Sequence, residues 1–282
     1  MLCDLKPSAA LESSHPNRWS SRRAFLLAAA AVSTPALAQV DVGKASSLRK
    51  LVPADQIEQA GAQQFVATVK EAQQQQALVA SSHPQSQRLK RIAQRIIPFT
   101  AAWNPRARDW RWEVALIKSD QINAFCLPGG KIAFYTGILD QLNLSDDEAS
   151  MVMGHEMAHA LREHARERLA KSTATSLGLR LGSELLGLGN LGAAAADMGT
   201  QLLALRFSRE DESEADLVGL ELAARAGYRP DASVSLWQKM AKANGSGGLA
   251  FLSTHPSGPR RIETLRANLP KVQGLYEAAG KG

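Results

Sequence analysis

Cysteine is almost absent from this chain: Cys3 and Cys126 are the two it has. Two cysteines build neither a disulfide framework nor an all-cysteine zinc site. Long apolar runs are missing too. The longest uncharged stretch of a Gly/Ala/Leu-rich region, Leu185 to Ala196, has twelve residues. A membrane span needs roughly 20. Compositional bias is absent as well, with 45% hydrophobic and 21% charged residues. Disorder and collagen are thereby excluded. There is no repeat period and no nucleic-acid-binding module. The net charge of +6 among 282 residues is modest, so the basic cluster Arg88, Lys90, Arg91 and Arg95 reads as a solvated helix face.

Part of that charge sits in an address. Arg18, Arg22 and Arg23 precede an apolar run, Ala24 to Val32. Pro35 follows, and then a small-x-small site, Ala36-Leu37-Ala38. This is the grammar of a secretory signal peptide over residues 1–38, cleaved after Ala38, and it predicts a periplasmic protein. Ser21-Arg22-Arg23-Ala24-Phe25-Leu26 also resembles the twin-arginine export signal; an ordinary Sec signal is the competing route. Cleavage removes four basic and two acidic residues, so +6 becomes +4. It also leaves Cys126 as a lone thiol, and stability then rests on an apolar core.

Beyond the leader, residues 53–80 carry Ile57, Phe65, Val66 and Val69 on a helical period. His83-Pro84 interrupts it, and Leu89, Ile92 and Ile96 stripe a second helix. We expect residues 39–85 to be an N-terminal helical segment packed on a domain spanning 86–282. Residues 110–116 alternate at period two, and 124–127 and 131–136 read as two more strands around the turn Pro128-Gly129-Gly130. Everything after about Gly137 reads helical. The expectation is an α+β fold, mostly helical, with a small antiparallel sheet.

The chemistry is concentrated in few histidines. Ser145 and Glu148 form a capping box that opens a helix. That helix carries His155-Glu156-Met157-Ala158-His159, an H-E-x-x-H motif. The i, i+4 spacing puts both imidazoles on one face, where they can bind one metal. Glu156 is rotated about 100° away and can take a proton from a metal-activated water. Buried residues Met151 to Met153 lead into the motif. A metzincin would need Gly at 162 and His at 165; Arg162 and Ala165 exclude it. On a continuing helix His164 falls on the opposite face, as a structural or exposed residue.

A catalytic zinc needs a third protein ligand. The acidic run from Ser208 to Asp216 offers Glu210, Glu212 and Glu214, and spacing alone does not choose among them. Glu212 and Asp216 share a face at i, i+4. One can ligate while the other holds a ligand histidine's free N–H.

Four stretches in order carry a resemblance: Asn123-Ala124-Phe125-Cys126-Leu127-Pro128-Gly129-Gly130, His155 to His159, Ser208-Arg209 with Glu212-x-x-Ala215-Asp216, and Thr254-His255-Pro256-Ser257 with Arg261-Ile262. Together they resemble the gluzincin family of HtpX-like and CAAX-prenyl-protease enzymes, metallopeptidase family forty-eight, in its soluble exported branch. The resemblance implies a zincin-like fold with the sheet beside the H-E-x-x-H helix and one Zn²⁺ per chain. It makes Glu212 the third ligand and Asp216 the carboxylate behind a ligand histidine. It implies a zinc endopeptidase that takes peptides or unfolded proteins, with the strand Asn123, Ala124 and Phe125 receiving substrate. Envelope protein quality control is the expected role, in association with membrane-assembly machinery. The rival is a periplasmic chaperone or binding protein that uses the same cleft with little turnover. About 20 residues follow Ile262, too few for the C-terminal helical-repeat docking module of some relatives.

Two points stay open on sequence. His255 has three readings: an oxyanion donor, a fourth zinc ligand that caps the ion, or a structural loop residue. Arg260 and Arg261 are alternatives for the donor. The segment from Leu177 to Leu205 is either a lid hinged at Gly187, Gly189 and Gly192 or a plain helical hairpin.

Overall fold

The computed structural model describes residues 40–179, 191–244, 250–256 and 260–280, apart from the side chains of 173–179 and 191–197. The expected leader and the hinge glycines Gly187 and Gly189 lie outside the described residues. Two helices come first, α1 (Ala54–Gln74) and α2 (Pro84–Ile96). His83 caps α2: its ring accepts the Gln85 N–H at 3.2 Å, and Pro84 takes the first helical position, where its missing N–H costs nothing. Leu89, Ile92 and Ile96 are buried as the stripe predicts. From the outer face, Arg88 reaches Asp146 Oδ1 at 2.5 Å and Leu144 O at 2.6 Å.

Three strands follow: β1 (Glu113–Ile117), β2 (Ala124–Leu127) and β3 (Lys131–Tyr135). The sheet is mixed, in the order β1-β3-β2, and not antiparallel throughout as expected. Gly129 and Gly130, at φ 83° and 77°, turn β2 back on β3 as an antiparallel hairpin. β1 pairs with β3 in parallel. The physical reason is burial. β3 is buried from Lys131 to Phe134 and takes the centre, so sequence neighbours β1 and β2 are separated by it. The outer edge of β1 is partly closed, because Leu78 bridges Ile117 and Val79 N–H donates to Leu116 O at 2.9 Å. β2 stays at the sheet edge.

Helices fill the remainder: α3 (Thr136–Gln141), α4 (Asp146–Leu161), α5 (His164–Leu179), α6 (Leu191–Ala204), α7 (Arg209–Arg225), α8 (Ala232–Asn244), α9 (Ala250–Thr254) and α10 (Arg261–Ala279). α4 is buried at every residue from Glu148 to Leu161, so it is the core helix. Its capping box is formed: Ser145 Oγ accepts the Glu148 N–H at 3.2 Å, and Glu148 Oε2 accepts the Ser145 N–H at 2.9 Å. α7 opens the same way, with Ser208 and Asp211 exchanging bonds of 3.1 and 2.8 Å. α6 lies on α1, where a Cβ on Gly199 would come within 3.0 Å of Gln64 Cβ. No described helix is long and apolar enough to cross a membrane.

α4 and α7 touch backbone to backbone. A Cβ on Gly154 would lie 2.7 Å from Gly219 O, and one on Gly219 would lie 2.6 Å from His155 N. Backbone atoms cannot swing aside as a flexible side chain can, so any larger residue forces the helices apart. Gly219→Ala should therefore destabilise the chain by roughly 1–3 kcal/mol in urea unfolding. Gly274→Ala, whose Cβ meets nothing within 4 Å, should leave stability unchanged or slightly raised.

Candidate metal centre

The crossing of α4 and α7 sets four side chains around one point. His155, His159, Glu212 and His255 are buried and offer ligand atoms that all lie within 4.8 Å of one another. The two Nε2 atoms of α4 are 3.2 Å apart. Glu212 Oε2 is 3.5 Å from His155 Nε2, and Oε1 is 3.4 Å from His159 Nε2. His255 follows α9 and presents Nδ1 at 3.0 Å from Glu212 Oε1 and 3.4 Å from His155 Nε2. It is positioned by a bond from its own N–H to Phe251 O at 2.9 Å and by stacking on the Phe251 ring at 4.5 Å. Nitrogen and carboxylate donors at this spacing are a donor set for a borderline metal ion.

Glu156 points into the same space. Its Oε1 is buried with no hydrogen-bond partner among the described residues, 3.5 Å from His255 Nε2. Burial pushes its carboxyl above the usual range, and the nearby His255 and His155 offset this in part. A buried acceptor left open is costly unless something else completes it.

Behind the cluster the charges are closed into a network. Asp216 Oδ1 meets His155 Nδ1 at 3.0 Å. Arg261 grips Asp216 with Nε and Nη2, each at 2.7 Å, and Glu212 with Nη1 at 2.7 Å. Its guanidinium also lies over the Trp237 ring, 3.5 Å from the centroid. Burial would raise the Glu212 carboxyl, yet His155, His159 and His255 hold it far below the usual range. Burial would likewise raise Asp216, but Arg261 and His155 keep it low. For His159 burial prevails and pushes its pKa well down, so the imidazole stays neutral as a ligand must.

Three sequence expectations change. Arg261 turns Nε, Nη1 and Nη2 to two buried carboxylates, Asp216 and Glu212. Arg260 is exposed and borders the outer side of α7. His164 is not on a far face: it is buried, with Nδ1 2.9 Å from His159 Nδ1. The rotation count assumed a continuing helix, whereas α4 ends at Leu161 and Glu163 adopts φ 59°. The chain turns there and carries His164 back. Of the acidic alternatives, Glu210 is exposed, and Glu214 meets Arg162 and His164. Only Glu212 joins the cluster.

A cleft opens in front of the cluster. Asn123, Ala124 and Phe125 line one wall beside Glu156 and His159. Leu202, Leu203 and Phe207 line another, with Phe207 stacked 4.0 Å from the His159 ring. Cys126 also borders it, but burial pushes the thiol well up, which makes it a poor nucleophile.

Comparison with known proteins adds the ancestry. The model of peptidase family M48 matches residues 83–269. Mitochondrial metalloendopeptidase OMA1 of Schizosaccharomyces pombe is 37% identical over 72% of this chain. Metalloprotease LoiP of Escherichia coli is 27% identical over 51%, and the beta-barrel assembly-enhancing protease of Yersinia pestis 29% over 54%. The chain spans 58%, 58% and 33% of those relatives' lengths, under two thirds in each case.

The charges predict a pH signature. Burial opposes charge on His155, but Asp216 and Glu212 outweigh it and lift its pKa from 6.5 to about 9. A raised histidine stabilises the fold fully below its unfolded pKa, and that stabilisation is lost as pH rises through the folded value. After treatment with a chelator, thermal stability should fall as pH climbs from 6.5 through about 9. With a divalent ion supplied, the cation replaces the proton and the fall should disappear.

Proposed function

The chain belongs to peptidase family M48, and on that premise we propose that it is a zinc endopeptidase, with His155, His159 and Glu212 as ligands and Glu156 as general base. The observation that carries the reading is the buried cluster of imidazole and carboxylate donors, with a Glu156 oxygen that has no hydrogen-bond partner among the described residues facing it. Zn²⁺ bound by those donors would polarise a scissile carbonyl and lower the pKa of a water toward about 7. Glu156, raised by burial, takes the proton from the attacking water and passes it to the leaving amine. Asp216 keeps the His155 ring in the tautomer that leaves Nε2 free to ligate.

Substrate enters as an extended chain. The edge strand β2, with Asn123, Ala124 and Phe125 on the cleft wall, supports strand addition by a peptide. Backbone pairing of this kind makes few demands on side chains, so unfolded or misassembled proteins are the substrate class we favour. The signal-like leader supports export, and we place the enzyme in the periplasm, in quality control of envelope proteins. The similarity to the beta-barrel assembly-enhancing protease of Yersinia pestis supports an association with membrane-assembly machinery. His255 we read as a fourth ligand that caps the ion in a resting enzyme, on the strength of its Nδ1 lying 3.0 Å from Glu212 Oε1.

Glu156→Gln should retain one zinc per chain by metal analysis and lose casein cleavage by about 10²–10⁴-fold. Cleavage that persists in this variant would overturn Glu156 as the general base, and unchanged function in cells would favour a chaperone using the same cleft. His255→Ala should raise the rate of proteolysis with zinc retained. A fall in kcat with zinc retained would assign His255 to the oxyanion and remove the capping role.

A further inference from the structure

His164 is a residue that neither the H-E-x-x-H motif nor the proposed ligand set includes. It is buried between two partners. Its Nδ1 lies 2.9 Å from His159 Nδ1, and its Nε2 lies 3.3 Å from Glu214 Oε2. Glu214 is held in turn by Arg162, whose Nε and Nη2 both lie 2.7 Å from Oε2. Arg162 itself is anchored by a bond from Nη2 to Gly43 O at 3.0 Å. Glu214 Oε2 is thus the one oxygen that faces both the Arg162 guanidinium and the His164 ring.

We propose that His164 is a positioning residue: with Glu214 and Arg162 it forms a relay that fixes the tautomer and ring orientation of His159. This rests on the reading of His159 as a zinc ligand. The argument is one of proton placement. His159 faces the cluster with Nε2. If Nε2 gives its lone pair to a metal, the single proton of the neutral ring must sit on Nδ1. That N–H donates to His164 Nδ1, which must then be bare. The proton of His164 therefore sits on Nε2 and donates to Glu214, whose acceptor is oriented by Arg162. Every donor in the chain has an acceptor in one direction only. Reversing any tautomer sets two donors or two lone pairs against each other.

The two histidines of the motif are thus backed differently. His155 meets its carboxylate, Asp216, directly. His159 reaches Glu214 through a second imidazole, because the turn at Glu163 brings His164 and not a carboxylate behind it. Partners behind metal-bound histidines typically alter metal affinity by about 10–100-fold, so the relay should be measurable in the metal and not only in the fold.

The test compares His164→Leu, which fills a similar volume without an acceptor, with His164→Asn, which keeps an oxygen acceptor near the Nδ1 position. Zinc release to a chelator should be about 10–100-fold faster in the Leu variant, with kcat lowered at unchanged KM. The visible spectrum of the Co²⁺-substituted protein should shift. The Asn variant should recover most of each change at equal thermal stability. Equal behaviour of the two variants, whether both normal or both impaired, would overturn the relay. Should the Leu variant not fold, Glu214→Leu removes the acceptor at the far end of the same relay, and wild-type zinc release there would also overturn it. A wild-type chain that takes up no zinc would overturn the metal site itself and the relay with it.

Discussion

The backbone contact of Gly154 with Gly219 is the constraint on which the site depends. Helices with ordinary side chains at their crossing stay about 8–10 Å apart. Without Cβ atoms at both positions, α4 and α7 approach until Gly219 O meets the Gly154 position and the His155 backbone meets Gly219. His155 and His159 lie one and five residues after Gly154 on α4, and Asp216 and Glu212 lie three and seven residues before Gly219 on α7. Short side chains can then converge on one point, with His159 Nε2 and Glu212 Oε1 3.4 Å apart. A crossing even slightly wider would leave the carboxylate short of the imidazoles.

The same closeness creates an electrostatic difficulty, and a second network resolves it. Two buried carboxylates beside three imidazoles would be costly without compensation. Arg261 supplies three N–H contacts to Glu212 and Asp216, and its flat face rests on Trp237. Glu212, the proposed ligand, is thus held as an anion and fixed in place by Arg261. Glu156 is treated differently, being left buried with one oxygen free. In the proposed mechanism the arrangement separates groups that stay charged and still from the one that exchanges a proton.

Around this centre the sheet supplies an edge, and only because its order is not the order of the chain. β3 takes the middle, β1 is partly covered by residues 77–79, and β2 is left at the rim against the cleft. α1 is held close to the hairpin turn: a Cβ on Gly61 would lie 2.5 Å from Pro128 O. Helix α6 then rests on α1 and lends Leu202 and Leu203 to the opposite wall.

Local pattern alone made much of this legible. The helices, the strands, the Pro-Gly-Gly turn and the Ser145 cap are set by neighbours within a few residues and recur in the structure, although Val66 is exposed, the first helix stops at Gln74, and β1 runs over 113–117 and not 110–116. The H-E-x-x-H spacing also belongs to a single helix, so its chemistry is readable in sequence. What sequence left open involves residues far apart or beyond a helix end. The choice of Glu212 over Glu210 and Glu214 depends on which side of α7 faces α4. The role of Arg261 depends on α10 meeting α7 from the far side. The sheet order depends on which strand is buried on both edges, a matter of layers and not of adjacency. His164 was misread because rotation along α4 ends at Leu161, where one residue with positive φ redirects the chain. Sequence by itself determined the elements and the type of chemistry. Only the tertiary structure decided which donors meet, because that is set by how closely two glycine-faced helices cross.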